Sequence, residues 1–344
     1  MAPIFIDRYS RMKSNFIDLL LRIKAAVLGQ HQSPGVSSQE TPTSSESDRD
    51  VANLRSPLML PPPDAVIIKT PLALKEVVSA PPETHYLEIQ DDGKTRKIAY
   101  TISGDMDAQN VLLCLPGLLE TKNTFLVIHH YFMKFSNCKV ISIDFSGRGE
   151  SDHLDDAGIY KMSLYLADIS QLIRSIILAN DLVRPKLTIL GTSMGGVLAM
   201  YLTQIFGKKI DEIILNDIAL TVNWTSLYAL YKSMKNELGF REVRQLAKDL
   251  KVDERAISDV QLPGHFDLSY RADVWGMNFH EALEDYKGRV GLIYGEKSKI
   301  CTQQRVQEAK KVIPRLHTLE VSGSGHPVPF TPPVCEFIEA EMGV

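Results

Sequence analysis

A short glycine-rich stretch, residues 186–201, places the strongest constraint on what this chain can fold into. It begins with residues 187–190, an apolar and β-prone run that is typical of a buried parallel strand. Gly-Thr-Ser-Met-Gly-Gly follows, and the rest of the stretch predicts a tightly packed helix. A strand that enters a helix through so sharp a turn needs small residues where the two elements pass. Gly191, Gly195 and Gly196 supply that clearance.

Ser193 stands at the centre of this turn, in the pattern G-x-S-x-G. At the junction of a strand and a helix, such a serine is expected to expose its hydroxyl at the carboxyl end of the strand. The pattern alone also occurs in ordinary turns. The strand before it and the helix after it are what favour a catalytic nucleophile here.

Length and composition exclude several classes of protein. A chain of 344 residues can hold one large domain with an appendage, and 44% apolar residues is ordinary for a globular protein. A net charge of −4 favours no nucleic-acid partner. The four cysteines lie far apart without metal-ligand spacing, which favours a reducing compartment. Because no run approaches the roughly eighteen apolar residues of a spanning helix, we expect a cytoplasmic protein.

The first thirty residues predict a basic amphipathic helix. Apolar side chains recur every three or four residues, among five basic and two acidic side chains. Such a helix can lie on a membrane surface, dock on a protein partner or pack on its own domain. Charges interrupt every apolar run, so it is not a secretory signal, and the two aspartates make a mitochondrial presequence the less favoured reading.

Residues 31–84 predict a mostly disordered linker. The segment is rich in Ser, Thr, Pro and acidic residues, and the proline triplet at 61–63 stiffens its end. Such a composition buries too little apolar surface to offset the entropy of ordering the chain.

From residue 85 to the C terminus, short apolar β-prone runs alternate with helical patterns. The runs lie at 86–89, 97–102, 111–115, 139–143, 187–190, 210–215, 290–294 and 316–321. The first two flank a hairpin turn, residues 160–180 predict an amphipathic helix, and another helix ends the chain. This alternation predicts an α/β fold with a doubly wound, mostly parallel sheet, which binds its ligands at the carboxyl ends of the strands.

The alternation stops over about 218–287, a helix-prone stretch that is rich in aromatic residues. It is too long for a loop within a compact domain. We therefore predict a helical cap that covers the strand ends and contributes an apolar substrate pocket.

Three motifs together resemble the α/β-hydrolase superfamily, in particular its capped serine esterase and C–C-bond hydrolase branch. They are the loop DFSGRGESD at 144–152, the turn GTSMGG at 191–196 and the sequence LNDI at 215–218. The resemblance covers residues 85–344 and implies an α/β-hydrolase fold, with catalytic residues in the order serine, acid, histidine.

The resemblance also implies roles for individual residues. Ser193 is implied as the nucleophile, and His326, after the small-residue loop 323–325, as the base that activates it. The main-chain N–H groups of Leu118 and Met194 are implied as the oxyanion hole.

The catalytic acid is where this chain departs from the family. Close relatives carry an aspartate at a position that Lys299 occupies here. A cation beside an imidazole disfavours the imidazolium that must form. Asp217, after the preceding strand, is the favoured acid, and Glu296 is the alternative.

The sequence therefore predicts a serine hydrolase that cleaves a small or medium acyl ester through an acyl-enzyme. The C–C bond of a vinylogous diketone is the second substrate class. Two other functions stay open: a catalytically impaired binding module, which Lys299 favours, and a membrane-surface adaptor that acts through the first helix. No motif identifies a cofactor or a metal, and Asp144 and Asp152 are expected to brace their turn.

Overall fold

The computed structural model describes residues 66–68, 82–91, 94–135, 137–155, 160–179, 184–258 and 276–344. The helix predicted at residues 1–30 lies outside these ranges, as does most of the linker predicted at 31–84. Membrane or protein contact through that helix therefore stays a prediction.

The strands of the described chain form a large central sheet and a small separate pair. In chain order they are β1 (Val66–Ile68), β2 (Thr84–Asp91), β3 (Lys94–Gly104), β4 (Asn110–Leu115), β5 (Cys138–Ile143), β6 (Lys186–Thr192), β7 (Glu212–Asn216), β8 (Thr221–Asn223), β9 (Gly276–Asn278), β10 (Arg289–Gly295) and β11 (His317–Val321). The central sheet has the order β1-β11-β10-β7-β6-β4-β5-β3-β2, and β8 pairs with β9.

Helices fill the connections between the strands. They are α1 (Leu126–Phe132), α2 (Met162–Leu172), α3 (Met194–Phe206), α4 (Trp224–Asp249), α5 (Arg255–Ser258), α6 (His280–Glu284), α7 (Gln303–Val312) and α8 (Pro332–Met342). A 3₁₀ turn, Lys122–Phe125, precedes α1, and a π-helical turn, Ile173–Ile177, extends α2. None of the described helices is both long and apolar enough to cross a bilayer.

Seven neighbouring strands of the sheet pair in parallel, in the spatial order β1-β11-β10-β7-β6-β4-β5. At the far edge, β3 runs antiparallel to both β5 and β2. The predicted fold class, an α/β fold with a mostly parallel, doubly wound sheet, is confirmed. The parallel strands bring their carboxyl ends to one edge of the sheet, and the loops that leave this edge carry the motifs of the sequence.

The alternation of side chains along β4 shows how the sheet separates two apolar layers. Leu113 and Leu115 pack in the layer that contains α2 and α3. Leu112 and Cys114 pack on the opposite face, with α1 and α8. Both sets are fully buried. A strand covered on both faces is therefore apolar along its buried part, residues 111–115, as its sequence predicts.

The edge strand β1 lies inside the segment that was predicted as linker. Val66–Ile68 pairs in parallel with β11, with Val66 opposite Leu319. This short strand is an addition to the predicted, mostly disordered linker. Three β-branched residues in a row fit the edge of a sheet, but so short a run carries no periodic signal.

Between β7 and β10 the chain forms the insertion, residues 218–287, in which the sequence predicts a helical cap. Its described part holds α4, α5, α6 and the antiparallel pair β8–β9. Asn223 begins α4, because its side-chain oxygen accepts a hydrogen bond from the N–H of Ser226 at 2.7 Å. The β8–β9 pair is an addition to the prediction, since three-residue strands are too short to reveal their period.

Two buried carboxyl groups meet where β7 begins and α8 ends. Glu212 accepts a hydrogen bond from Nη2 of Arg289 at 3.0 Å, and Glu341 contacts Nδ1 of His317 at 2.7 Å. One buried oxygen of each carboxyl has no hydrogen-bond partner. Burial is the main cause that raises the pKa of Glu212 to about 7, and the neighbouring Glu341 raises it further, against the effect of Arg289.

Raising the pH from about 5 to about 8 is expected to lower the free energy of unfolding. The folded chain holds a proton that the unfolded chain has already released, so the slope approaches about −1.4 kcal/mol per pH unit until the pH passes the folded pKa of about 7. Urea unfolding across this range measures the slope. Glu212→Gln should flatten it, because it removes the carboxyl that takes up the proton. Glu336→Gln, a change at an exposed position of α8, should leave the slope as it is. An unchanged slope in Glu212→Gln contradicts this account.

Candidate active site

The turn between β6 and α3 holds Ser193 in a backbone conformation that is rare for a residue with a side chain. Its φ is 49° and its ψ is −111°. The N–H of Ser193 donates to the carbonyl oxygen of Asn216 at 2.9 Å, and its own carbonyl accepts from the N–H of Gly196 at 2.9 Å. Such a conformation persists only where the surroundings enforce it. These contacts with β7 and α3 provide that enforcement.

The glycines on either side of Ser193 are required by close main-chain contacts. A Cβ on Gly191 would lie 2.5 Å from the main chain of Gly195, and one on Gly195 would lie 2.1 Å from the carbonyl oxygen of Leu115. A Cβ on Gly196 would lie 2.3 Å from Cγ2 of Ile218. The clearance expected from the sequence is therefore present at all three positions.

Three of the predicted site residues lie in one hydrogen-bonded line. Nδ1 of His326 is 2.7 Å from Oδ2 of Asp217, and Nε2 is 3.0 Å from Oγ of Ser193. Because a carboxylate only accepts hydrogen bonds, Nδ1 carries the proton, and Nε2 of the neutral ring accepts from the serine hydroxyl. The side chain of Asp217 is fully buried, and that of His326 is 10% exposed. The serine hydroxyl is thus hydrogen-bonded to Nε2 of a histidine whose other ring nitrogen, Nδ1, is bonded to Asp217.

Asp217 accepts hydrogen bonds from three donors, which lie at the end of β10, in the loop after β10 and in the loop after β11. Oδ2 accepts from the hydroxyl of Ser298 at 2.9 Å in addition to His326, and Oδ1 accepts from the N–H of Gly295 at 3.1 Å. The residue itself has a φ of 58°, a left-handed conformation that aspartate tolerates better than most residues. These contacts fix the direction in which the carboxylate faces the ring.

The structure does not bring the alternative acid, Glu296, to the imidazole. Its Oε2 accepts from the N–H of Gly323 at 2.7 Å, in the loop that precedes His326. Lys299, at the position where relatives carry the acid, is exposed. Its buried neighbour Ser298 is the residue of this loop that reaches Asp217.

The two residues predicted to form the oxyanion hole lie at the start of α3 and in the loop after β4. Met194 is the first residue of α3, where N–H groups are unpaired and the helix dipole is positive. Leu118 follows Gly117, whose N–H donates to Oε2 of Glu120 at 2.6 Å. Within the described ranges, neither the N–H of Leu118 nor that of Met194 donates to another protein group.

Comparison with known proteins identifies the family of this chain. The family model Hydrolase_4, described as serine aminopeptidase, S33, matches residues 106–318, well over half of the chain. The chain belongs to this family. Hydrolase_4 proteins are members of the α/β-hydrolase superfamily, so the resemblance drawn from the sequence is confirmed at that level.

Two relatives of this Hydrolase_4 chain carry names that describe a hydrolase. The 3-hydroxybutyrate-oligomer hydrolase of Cupriavidus necator is 28% identical over 141 residues, which are 41% of this chain and 45% of that protein. The sn-1-specific diacylglycerol lipase ABHD11 of Xenopus laevis is 25% identical over 258 residues, 67% of this chain and 80% of that protein. The chain thus spans less than half the length of the first relative and most of the second.

Solved structures show the same fold. A putative hydrolase from Rickettsia typhi has a TM-score of 0.57 and 22% identity, covering 76% of this chain and 99% of that one. An α/β hydrolase from Novosphingobium aromaticivorans has a TM-score of 0.59 and 19% identity, covering 77% and 99%. At these identities the likeness shows the fold alone. Together with the family match, it makes this chain an α/β hydrolase.

The carboxylates of the loop after β5 in this Hydrolase_4 chain brace the main chain. Asp144 accepts from the N–H of Lys122 at 2.7 Å, from its Nζ at 3.1 Å and from the N–H of Glu150 at 3.0 Å. Asp152 accepts from the N–H of Lys97 at 2.7 Å. These contacts occupy both carboxylates with protein donors.

Sequence reasoning missed three polar residues of the site: Glu120, Arg148 and Ser298. Arg148 lies within a motif that was recognised, but a pattern does not reveal what its side chain contacts. Glu120 has no signal beyond its place three residues after Gly117. Burial is the main cause that raises the pKa of the Glu120 carboxyl, against the N–H of Gly117 and the nearby His326 and Arg148, which lower it.

Replacing Ser193 with glycine is expected to stabilise the fold relative to replacing it with alanine. Glycine adopts a positive φ without the steric cost that a Cβ causes. The stability gained by relieving this strain should exceed the stability lost because glycine gives the unfolded chain more conformational entropy. We expect Ser193→Gly to be more stable to urea than Ser193→Ala by about 1 kcal/mol. The matched pair Ser324→Gly and Ser324→Ala should show the reverse order. If Ser193→Gly is the less stable of its pair, Ser193 is not strained.

Proposed function

We propose that this α/β hydrolase is a serine hydrolase that cleaves acyl esters through an acyl-enzyme. The observation that carries the proposal is the line of hydrogen bonds from Ser193 through His326 to Asp217. A serine hydroxyl is a weak nucleophile unless a base takes its proton during attack. Here the base lies at hydrogen-bond distance, and its other nitrogen is held by a buried carboxylate.

The proposed reaction begins when Oγ of Ser193 attacks the acyl carbon of the ester and Nε2 of His326 takes the hydroxyl proton. Asp217 stabilises the imidazolium and keeps the ring oriented. The developing oxyanion accepts hydrogen bonds from the N–H groups of Leu118 and Met194. His326 then returns the proton to the leaving alcohol, and the acyl group stays on Ser193. Water, deprotonated by the same histidine, releases the acid and restores the serine.

The proposed substrate is a small or medium acyl ester. The names of the two relatives describe proteins that act on esters, a hydroxybutyrate oligomer and a diacylglycerol. Cleavage of a diketone C–C bond would use the same triad, and turnover of such a diketone relative to an ester separates the two.

The alternative of a catalytically impaired binding module loses its main support. It depended on Lys299 standing beside the imidazole, where it would oppose the imidazolium. The side chain of Lys299 is exposed, and a carboxylate from another loop contacts the ring.

We expect Ser193→Ala to abolish covalent labelling by a fluorophosphonate and to remove turnover of a short aryl ester. The reagent reacts with activated serines only, so labelling reports the nucleophile directly. Ser324→Ala, a change at a half-buried serine two residues before His326, should keep both activities. Circular dichroism checks that each variant is folded. Equal turnover in Ser193→Ala and wild type excludes this turn as the active site.

We expect Asp217→Asn to lower kcat by about 10⁴, which corresponds to about 5.5 kcal/mol of barrier. The amide cannot hold the ring in the same tautomer or stabilise its cation. Glu296→Gln is the matched control, and its kcat should stay near that of the wild type.

A swap of two neighbouring side chains tests whether Asp217 acts as the acid or only as a brace. Ser298 lies 2.9 Å from Asp217, so the double variant Asp217→Ser with Ser298→Asp moves the carboxylate by about one side chain. It should recover part of the activity that Asp217→Ser loses. If Asp217→Asn is folded and fully active, Asp217 is only a brace.

A further inference from the structure

Arg148 is a fully buried cation that contacts both segments of the proposed oxyanion hole. Its Nη1 donates to the carbonyl oxygen of Gly117 at 2.7 Å and to that of Leu118. Its Nη2 lies 3.8 Å from Sδ of Met194. The guanidinium thus bridges the loop after β4 and the first residue of α3.

The contact with Gly117 fixes the direction of the Leu118 N–H. The carbonyl of Gly117 and the N–H of Leu118 belong to one planar trans peptide and point in opposite directions. A donor that holds the carbonyl on one side therefore holds the N–H on the other. Glu120 accepts from the N–H of Gly117, so the preceding peptide is held as well.

The burial of a guanidinium here needs a reason, because removing a cation from water is costly. The rings of Phe145 and Tyr165 cover it, with centroids 5.6 Å and 5.2 Å from Cζ of Arg148. An apolar side chain could pack against these rings without the desolvation cost. What only a guanidinium adds is a rigid fork of donors and a positive charge beside the loop.

The insertion in turn holds the main chain on both sides of Arg148. The carbonyl oxygen of Gly147 accepts from the N–H of Asp253 at 2.8 Å, and the N–H of Gly149 donates to the carbonyl oxygen of Lys251 at 2.9 Å. Tyr160 supports this junction, because its hydroxyl donates to Oδ2 of Asp253 at 2.9 Å. The placement of Arg148 therefore depends on the insertion.

We propose that Arg148 is a positioning residue, which directs the Leu118 N–H at the oxyanion and is itself held in place by residues 251–253 of the insertion. The proposal rests on the serine hydrolase function proposed above. Because the oxyanion exists only after attack, a misdirected N–H lowers kcat and leaves KM nearly unchanged.

The direct test replaces Arg148 with Met, which has no donors, and with Lys, which keeps the charge but not the fork. Loss of an oxyanion donor costs about 10² to 10³ in kcat, and we expect Arg148→Met to fall by about 10² because the N–H remains but is misdirected. Arg148→Lys should lie between Met and wild type. Arg184→Met is the control. Like Arg148, Arg184 donates to a main-chain carbonyl, that of Lys208 at 3.1 Å. It lies just before β6, at the opposite end of that strand from Ser193.

A pair of inhibitors separates positioning from a general loss of structure. An arylboronic acid forms a tetrahedral adduct with the serine, whereas an ether analogue of the ester binds without one. In Arg148→Met, boronate affinity should fall in proportion to kcat/KM, and ether affinity should not change. Equal losses for both ligands overturn the proposal.

The link to the insertion is tested with Tyr160→Phe, which keeps the ring and removes the hydroxyl that donates to Asp253 and accepts from the N–H of Leu154. Alone, Tyr160→Phe should lower kcat several-fold. In the Arg148→Met background it should have no further effect on kcat, because both changes act on the orientation of the Gly117–Leu118 peptide. Equal effects in both backgrounds overturn the link.

Circular dichroism and thermal unfolding identify folded variants, and kinetics are compared only among those. If Arg148→Met does not fold, Arg148→Lys decides, and a wild-type kcat there overturns the proposal. If the wild type neither reacts with the fluorophosphonate nor cleaves the ester, the function and the positioning role fail together. If the wild type is active and folded Arg148 variants match it, only the positioning role fails.

Discussion

The close passage of β6, α3 and the end of β4 around Ser193 is the constraint on which the rest of the site depends. A Cβ on Gly195 would lie only 2.1 Å from the carbonyl oxygen of Leu115, so the main chains of β4 and α3 are in direct contact. The N–H of Ser193 is bonded to Asn216 at the end of β7. Three neighbouring strands thus end against the turn formed by residues 193–195. The loops that leave them, which carry Leu118, Met194 and Asp217, start from fixed points.

Asn216 extends this frame to the histidine. Its side-chain amide donates to the carbonyl oxygen of Val328 at 2.9 Å, two residues beyond His326. The same residue accepts from the N–H of Ser193 and precedes Asp217. The three residues of the hydrogen-bonded line therefore share one anchor at the end of a central strand. Rigid elements of this kind hold reacting groups more accurately than loops alone.

Some of the buried charges in this fold hold loops in place, and two of them join the same pair of loops. Lys122 and Asp144, both nearly inaccessible, join the loop after β4 to the loop after β5. Arg148 makes a second connection between the same two loops. A buried ion pair adds little net stability compared with apolar packing. What these groups provide is a defined position for a main chain that lacks the regular hydrogen bonds of a helix or strand.

The sequence by itself determined the α/β fold, the turn at Ser193 and the histidine loop. These features are local. Apolar β-prone runs indicate buried strands, and glycines beside a serine indicate that a strand and a helix pass close to each other. Only the tertiary structure decided that Asp217 rather than Glu296 contacts His326, from 109 residues away. The same holds for the carbonyls that Arg148 reaches and for the pairing of β1. In each case the outcome depends on which strand ends meet and where their side chains point. No local pattern encodes that, because it arises only when distant segments pack together.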